Sequence, residues 1–223
     1  MENNYFITAS GTDAGKTFVA EGLARIWHGR GDAVRALKPV MSGYDAAVPE
    51  RSDAGRLLAA CGRAVSAENV AAISPWRFAA PLAPSRAAAL EGRVIDIEDL
   101  IAWSRFEIVR SAGALLIEGV GGVMAPLDAH HTVRDWIAAL DLPVLLVAGT
   151  YLGAVSHTLC ALAALREVGV APAAIVVNES EAGVGIEETL AALAPHAAGI
   201  DLVAVPRGDD AAIAAFAQLI KSA

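Results

Sequence analysis

Short runs of consecutive apolar residues recur along the chain, and longer stretches with apolar positions three or four apart separate them. The apolar-rich runs at 3–9, 33–37, 114–117, 143–149, 173–177 and 202–205 read as six strands, the first of them buried on both faces. The spaced stretches predict helices over 16–29, from Ser52, over 85–91, after Ile97 to about Arg110, from Thr132 to about Leu140, over 154–168, over 185–193 and over 209–221. Residues 71–78, with Pro75 and Trp76, read as extended, and 41–44 as a polar loop. Strand and helix alternate, which predicts an α/β fold: a mostly parallel sheet with helices on both faces, in three layers. No linker interrupts the pattern, so residues 1–223 read as a single domain.

The loop after the first strand carries the strongest chemical signal. It reads Ser10-Gly11-Thr12-Asp13-Ala14-Gly15-Lys16-Thr17 and lies between an apolar strand and a helix. Strand, glycine-containing loop, Lys-Thr and helix form the layout of a phosphate-binding loop, as in P-loop NTPases. Backbone N–H groups of such a loop, with the positive end of the helix dipole, face phosphate oxygens. Lys16 would reach the outer phosphates, and the Thr17 hydroxyl would ligate Mg²⁺.

Other candidates stand at strand ends, where ligands bind in open α/β sheets. Lys38 leaves the second strand in Lys38-Pro39-Val40. Asp53 opens a helix behind Ser52, a plausible N-cap. Glu118 ends a buried strand and runs into Gly119-Val120-Gly121-Gly122, the pattern of a carboxylate that faces the metal. Free N–H groups in the turn at 150–153 suit an anion such as a carboxylate. Asn178 offers a paired donor and acceptor for the edge of an adenine ring. A solvated Lys38, a dipole-favoured Asp53 and a turn-forming Asn178 are the plainer readings of the same residues.

Composition narrows the classes. The chain is 55% hydrophobic and 19% charged, so it is globular. Its net charge of -8 argues against a nucleic-acid partner. Only Cys61 and Cys160 are present, both in apolar surroundings and read as buried, which fits a reducing compartment such as the cytoplasm. Residues 142–165 hold no Asp, Glu, Lys or Arg, but Pro143, Gly149 and Gly153 divide them, so a strand and a helix are expected rather than a membrane span. No signal peptide is expected after Glu2.

Taken together, these motifs resemble dethiobiotin synthetase over nearly the whole chain. The resemblance rests on Asp13-Ala14-Gly15-Lys16-Thr17, Lys38-Pro39-Val40-Met41-Ser42-Gly43, Ser52-Asp53-Ala54, Glu118-Gly119-Val120-Gly121-Gly122, Tyr151-Leu152-Gly153 with His157, and Val177-Asn178. It implies an ATP-dependent ligase of biotin biosynthesis that joins diaminopelargonate and CO₂ (or bicarbonate). It further implies phosphate and Mg²⁺ contacts at Lys16 and Thr17, metal ligation by Asp53 and Glu118, and a place near the nucleotide for Asp13. Lys38 and Ser42 would contact the diamine and its carbamate. The backbone of Leu152, Gly153, Ala154, Val155 and Ser156 would bind the distal carboxylate across a homodimer, and Asn178 and Pro206 would frame adenine. Ala9 and Gly11 replace a family Gly and Asp in the first half of the loop. Two other classes remain in view. A cobyrinate-type synthetase would need an added glutaminase domain. A partitioning-type switch ATPase often carries a second loop lysine or a basic C-terminal helix.

Overall fold

The computed structural model describes residues 3–220. Its sheet elements are β1 (Asn4–Ala9), β2 (Val34–Leu37), β3 (Val40–Ser42), β4 (Trp76–Phe78), β5 (Ala114–Glu118), β6 (Val144–Ala148), β7 (Ala174–Asn178) and β8 (Asp201–Val205). The helices are α1 (Lys16–Gly29), α2 (Asp53–Ala60), α3 (Ala67–Ile73), α4 (Pro84–Leu90), α5 (Ile97–Val109), α6 (Val133–Leu140), α7 (Ala154–Glu167), α8 (Ile186–Leu193) and α9 (Asp210–Leu219). Lys221, the expected end of the last helix, and Glu2 lie outside the described residues.

Six strands form one sheet in the order β2-β5-β1-β6-β7-β8, every pair parallel. Both of its central strands are uniformly buried, which explains their unbroken apolar runs. Strand β1 lies between β5 and β6, so the chain leaves it to one side early and to the other side later. Such a switch point opens a crevice at the carboxyl ends of the strands.

Neighbouring residues of β1 show why both faces carry helices. Tyr5 and Phe6 point to opposite faces because successive strand side chains alternate. Tyr5 packs near Trp27 of α1, with ring centroids 6.4 Å apart, and Phe6 meets Trp136 of α6 edge-on at 4.8 Å. Each tryptophan then ties in a second helix. Trp27 donates its indole N–H to the Ala217 carbonyl of α9 at 3.1 Å, and Trp136 donates to Ser104 Oγ of α5 at 3.1 Å. Burying both polar tips with partners removes the desolvation cost of two large rings.

Three local expectations are corrected. Residues 41–44 are not simply a polar loop: Val40–Ser42 form β3, paired in parallel with β4, and Met41 is buried. The stretch 71–78 is not extended throughout. Ala67–Ile73 is a helix whose Ser66 side chain accepts from Asn69 N, and only Trp76–Phe78 is strand. Cys160 is exposed on α7, whereas Cys61 is buried as expected. Among the described residues no helix is long and apolar enough to cross a membrane.

Candidate active site

The phosphate-loop motif leaves β1 at the centre of the sheet. Ser10 N donates to the Val147 carbonyl of β6 at 2.9 Å, which anchors the loop's start to the neighbouring strand. Asp13 and Gly15 take positive φ, 60° and 104°. This geometry suits Gly and is tolerated by Asp. Helix α1 begins at Lys16, so its unpaired N–H groups open onto the loop. The glycine segment after β5 closes against it. Gly119 N donates to the Ile7 carbonyl at 2.9 Å and Val123 N to the Ala9 carbonyl at 3.0 Å. A Cβ on Gly122 would stand 3.1 Å from the Gly11 Cα. The two departures from the family pattern therefore sit in packed backbone: Ala9 is a fully buried strand end, and Gly11 lies against Gly122.

Both lysines singled out in the sequence are buried, and they meet in one cavity of about 1010 Å³. Lys16 Nζ donates to the Gly121 carbonyl at 2.6 Å. Burial, reinforced by the positive charge of Lys38, lowers the Lys16 ammonium to a pKa of about 8. Lys38 Nζ lies 2.5 Å from Glu118 Oε1, 2.8 Å from Asp53 Oδ2 and 3.1 Å from the Gly119 carbonyl. Burial alone would lower its pKa, but Glu118 and Asp53 outweigh it and the ammonium is held above its ordinary value. Burial pushes Asp53 upward, and the Lys38 charge more than offsets this, so its carboxyl sits below the usual range.

Glu118 is the most enclosed acid of the site, with no solvent exposure. One oxygen, Oε1, accepts from Lys38 and, at 2.7 Å, from Thr17 Oγ1. The other, Oε2, is buried with no partner among the described residues. A buried carboxylate oxygen left unpaired is costly, and a hard cation would satisfy it. Thr17, Asp53 and Glu118 thus offer the oxygen set that Mg²⁺ takes: few protein ligands, with remaining positions for phosphate and water. Among the described residues no group of three His, Cys, Asp or Glu could hold a metal ion.

The remaining candidates are divided between this cavity and its surroundings. Asp13, Gly15, Thr17 and Ser42 line it with the two lysines. Ala14 is buried behind the loop. Asn178 does not line the cavity but touches the loop from β7, donating to the Ala14 carbonyl at 3.1 Å. Pro206 follows β8, whose register sets Val205 beside Asn178. Leu152 and Gly153 lead from β6 into α7 and Ala154, Val155 and Ser156 open that helix, all outside the cavity that holds Lys38, and Leu152 is 89% exposed.

The sequence reading missed Arg56 and the 81–84 segment, both of which line the cavity. Arg56 stands three residues after Asp53 on α2 and therefore on the same helical face, a signal available beforehand. Its guanidinium donates to Glu21 Oε2 at 3.0 and 2.6 Å. The 81–84 segment carried no comparable signal.

A family model described as an AAA domain matches residues 3–210. The chain is 55% identical over 196 residues to the ATP-dependent dethiobiotin synthetase of Acidiphilium cryptum (strain JF-5), covering 87% of this chain and 88% of that protein. It is 48% identical over 208 residues to the enzyme of the same name from Methylobacterium nodulans, covering 91% and 92%. Among solved structures, the MinD cell division protein of Aquifex aeolicus superposes with a TM-score of 0.59 at 14% identity, over 99% of this chain and 97% of that one. At that identity the likeness speaks for a shared P-loop NTPase fold alone. The relatives decide the narrower question that the fold leaves open, and the chain belongs to the ATP-dependent dethiobiotin synthetase family.

Proposed function

We propose that the cavity between the loop and the end of β2 closes the ureido ring of dethiobiotin from diaminopelargonate and CO₂ at the expense of ATP, as a step of biotin biosynthesis. One observation carries this reading: two buried lysines, Lys16 from the loop and Lys38 from a strand end, share a cavity with Asp53 and Glu118. A nucleotide hydrolase needs the first lysine. A second buried cation is needed where another anion must approach the triphosphate.

In this reading the loop amides from Asp13 to Thr17 and the Lys16 ammonium hold the phosphates. Lys38 and Ser42 hold the diamine and the carbamate that forms when one amine takes up CO₂. A carbamate oxygen attacks the γ-phosphorus and ADP leaves, giving a carbamic–phosphoric anhydride. The second amine then attacks the carbamate carbon, the ring closes, and inorganic phosphate departs. Thr17, Asp53 and Glu118 would hold Mg²⁺, which would neutralise charge on the phosphate oxygens. Positioning carries much of the rate in phosphoryl transfer, and a site built from packed glycine backbone supplies it.

The proposal extends to the periphery. Asn178 and Pro206 frame adenine, and the Leu152–Ser156 backbone receives the distal carboxylate in a homodimer. Residues 1–223 act as one domain, in the cytoplasm, without a nucleic-acid or membrane partner.

The test is ADP release from the purified protein with Mg²⁺ and ATP, with and without diaminopelargonate plus bicarbonate. Release that requires both, together with a ureido product by mass spectrometry, is the expected result. Release indifferent to both would overturn the reading in favour of a switch ATPase.

A further inference from the structure

The Lys38 ammonium has three protons, and the structure accounts for all three. They face Asp53 Oδ2, Glu118 Oε1 and the Gly119 carbonyl at 2.8, 2.5 and 3.1 Å. The side chain is only 3% exposed. Placed this way, Lys38 has no donor left for a substrate anion, although it lines the cavity with Ser42. The two carboxylates that hold it are also the two acids with which Thr17 could bind a divalent cation, and Thr17 already donates to the same Glu118 oxygen at 2.7 Å.

We infer that Lys38 and a divalent cation compete for the Asp53–Glu118 carboxylate pair, so that cation binding releases the Lys38 ammonium into the cavity. A cation on these oxygens satisfies them with twice the charge and repels the ammonium at close range. The lysine leaves on its own flexible four-carbon stem, so β2 need not move. The free Glu118 Oε2 gives the incoming cation a ligand that Lys38 does not hold. The released ammonium then regains donors for an anion in the cavity. This last step rests on the proposed function and gives it an order: cation first, carbamate second. Because coupling is reciprocal, an anion that captures Lys38 tightens cation binding in turn.

The competition is read without turnover. Mn²⁺ binding, followed by the electron paramagnetic resonance of the free ion with no nucleotide present, is compared between wild type and Lys38→Met. Removing the competing ammonium is expected to tighten Mn²⁺ binding about tenfold, within the usual range of coupling between sites. Equal or weaker binding by the variant would overturn the inference. If Lys38→Met does not fold, wild type carries the test. The chain has only three lysines, Lys16, Lys38 and Lys221, so acetylation is resolved by peptide mass spectrometry. Saturating Mg²⁺ is expected to speed acetylation of Lys38 severalfold, and an unchanged rate would overturn the inference. A wild-type protein that passes these tests but forms no ureido product would refute the synthetase reading and leave the competition standing. The reverse pattern would refute the competition alone.

Discussion

The side-chain amide of Asn178 donates to the Ala14 carbonyl at 3.1 Å and fills the space beside Gly15. A Cβ on Gly15 would lie 2.2 Å from Asn178 Nδ2, and Gly15 has φ +104°. Steric clash and backbone strain therefore act against any side chain there, and they are separable. Gly15→Ala is expected to abolish binding of a non-hydrolysable ATP analogue. Adding Asn178→Ala removes the clash but leaves the strain, about 1–2 kcal/mol for a non-glycine residue at positive φ. The double variant should thus bind roughly 5- to 30-fold more weakly than Asn178→Ala alone. Calorimetric titration of the four proteins checks this, and equal affinities for the last two would show that strain plays no part.

Lys16 begins helix α1 and donates at 2.6 Å to the Gly121 carbonyl, in the glycine segment that follows Glu118. Lys16→Ala is expected to lower turnover at saturating ATP by about a hundredfold or more, the scale of removing one preorganised donor to a developing charge. Glu118→Gln is expected instead to raise the Mg²⁺ concentration needed for half-maximal rate. Steady-state ADP release under both titrations distinguishes the two roles. Near-normal turnover of Lys16→Ala would remove Lys16 from the phosphoryl step.

The sheet was legible because its central strands, β1 and β6, are buried on both faces and write themselves as apolar runs, and the others repeat shorter apolar runs at similar intervals. Smaller elements were not. Helix α3 spans only Ala67–Ile73, and its end runs straight into Pro75 and Trp76, so 71–78 reads as extended. Strand β3 depends on pairing with β4, more than thirty residues away, which no local pattern shows. The site divides in the same way. Glu118 was visible as an acid ending an apolar strand, and Lys16 as part of a motif. The Lys38–Asp53 contact at 2.8 Å was not visible, because it depends on how α2 packs beside the end of β2. Cys160 was misread because α7 has apolar residues on its outer face as well. Thr158, Ala161, Leu162 and Leu165 are the positions turned inward.

That orientation makes the two thiols chemically different. Cys61 is buried, and burial pushes its pKa up to about 11, so thiolate is scarce at neutral pH. Cys160 is exposed. Iodoacetamide at about pH 7.5 is expected to label one cysteine per chain in the folded protein, and Cys160→Ser to abolish that labelling. Labelling of Cys61 should begin only in denaturant. Intact mass before and after urea treatment reads both outcomes, and native labelling of Cys160→Ser would contradict the packing around Cys61.

The loop before α6 contains a pH-dependent contact outside the cavity. Asp128 accepts from the N–H groups of His130 and His131, each at 2.7 Å, and its carboxylate lies 2.9 Å from His131 Nδ1. The hydrogen bond to Asp128 raises the His131 pKa above 6.5, with smaller contributions from the Asp128, Asp135 and Glu98 charges. Stabilisation from this histidine is fully present below pH 6.5 and is lost as pH rises through the folded value. Asp128 behaves in the opposite sense. Burial would raise its pKa, but the His130 N–H and the His131 contacts bring it below 3.8, so its contribution is present above that value and fades as acid titrates the folded carboxylate. The pair therefore stabilises the loop most between pH 3.8 and 6.5. His131→Gln keeps both backbone bonds to Asp128 and removes only the titrating ring. The melting temperature of wild type should exceed that of the variant most near about pH 5 and approach it by about pH 9. Added salt should shrink the gap, because the pair is partly open to solvent. A difference constant across this range would mean that the ring acts by packing and not by its charge.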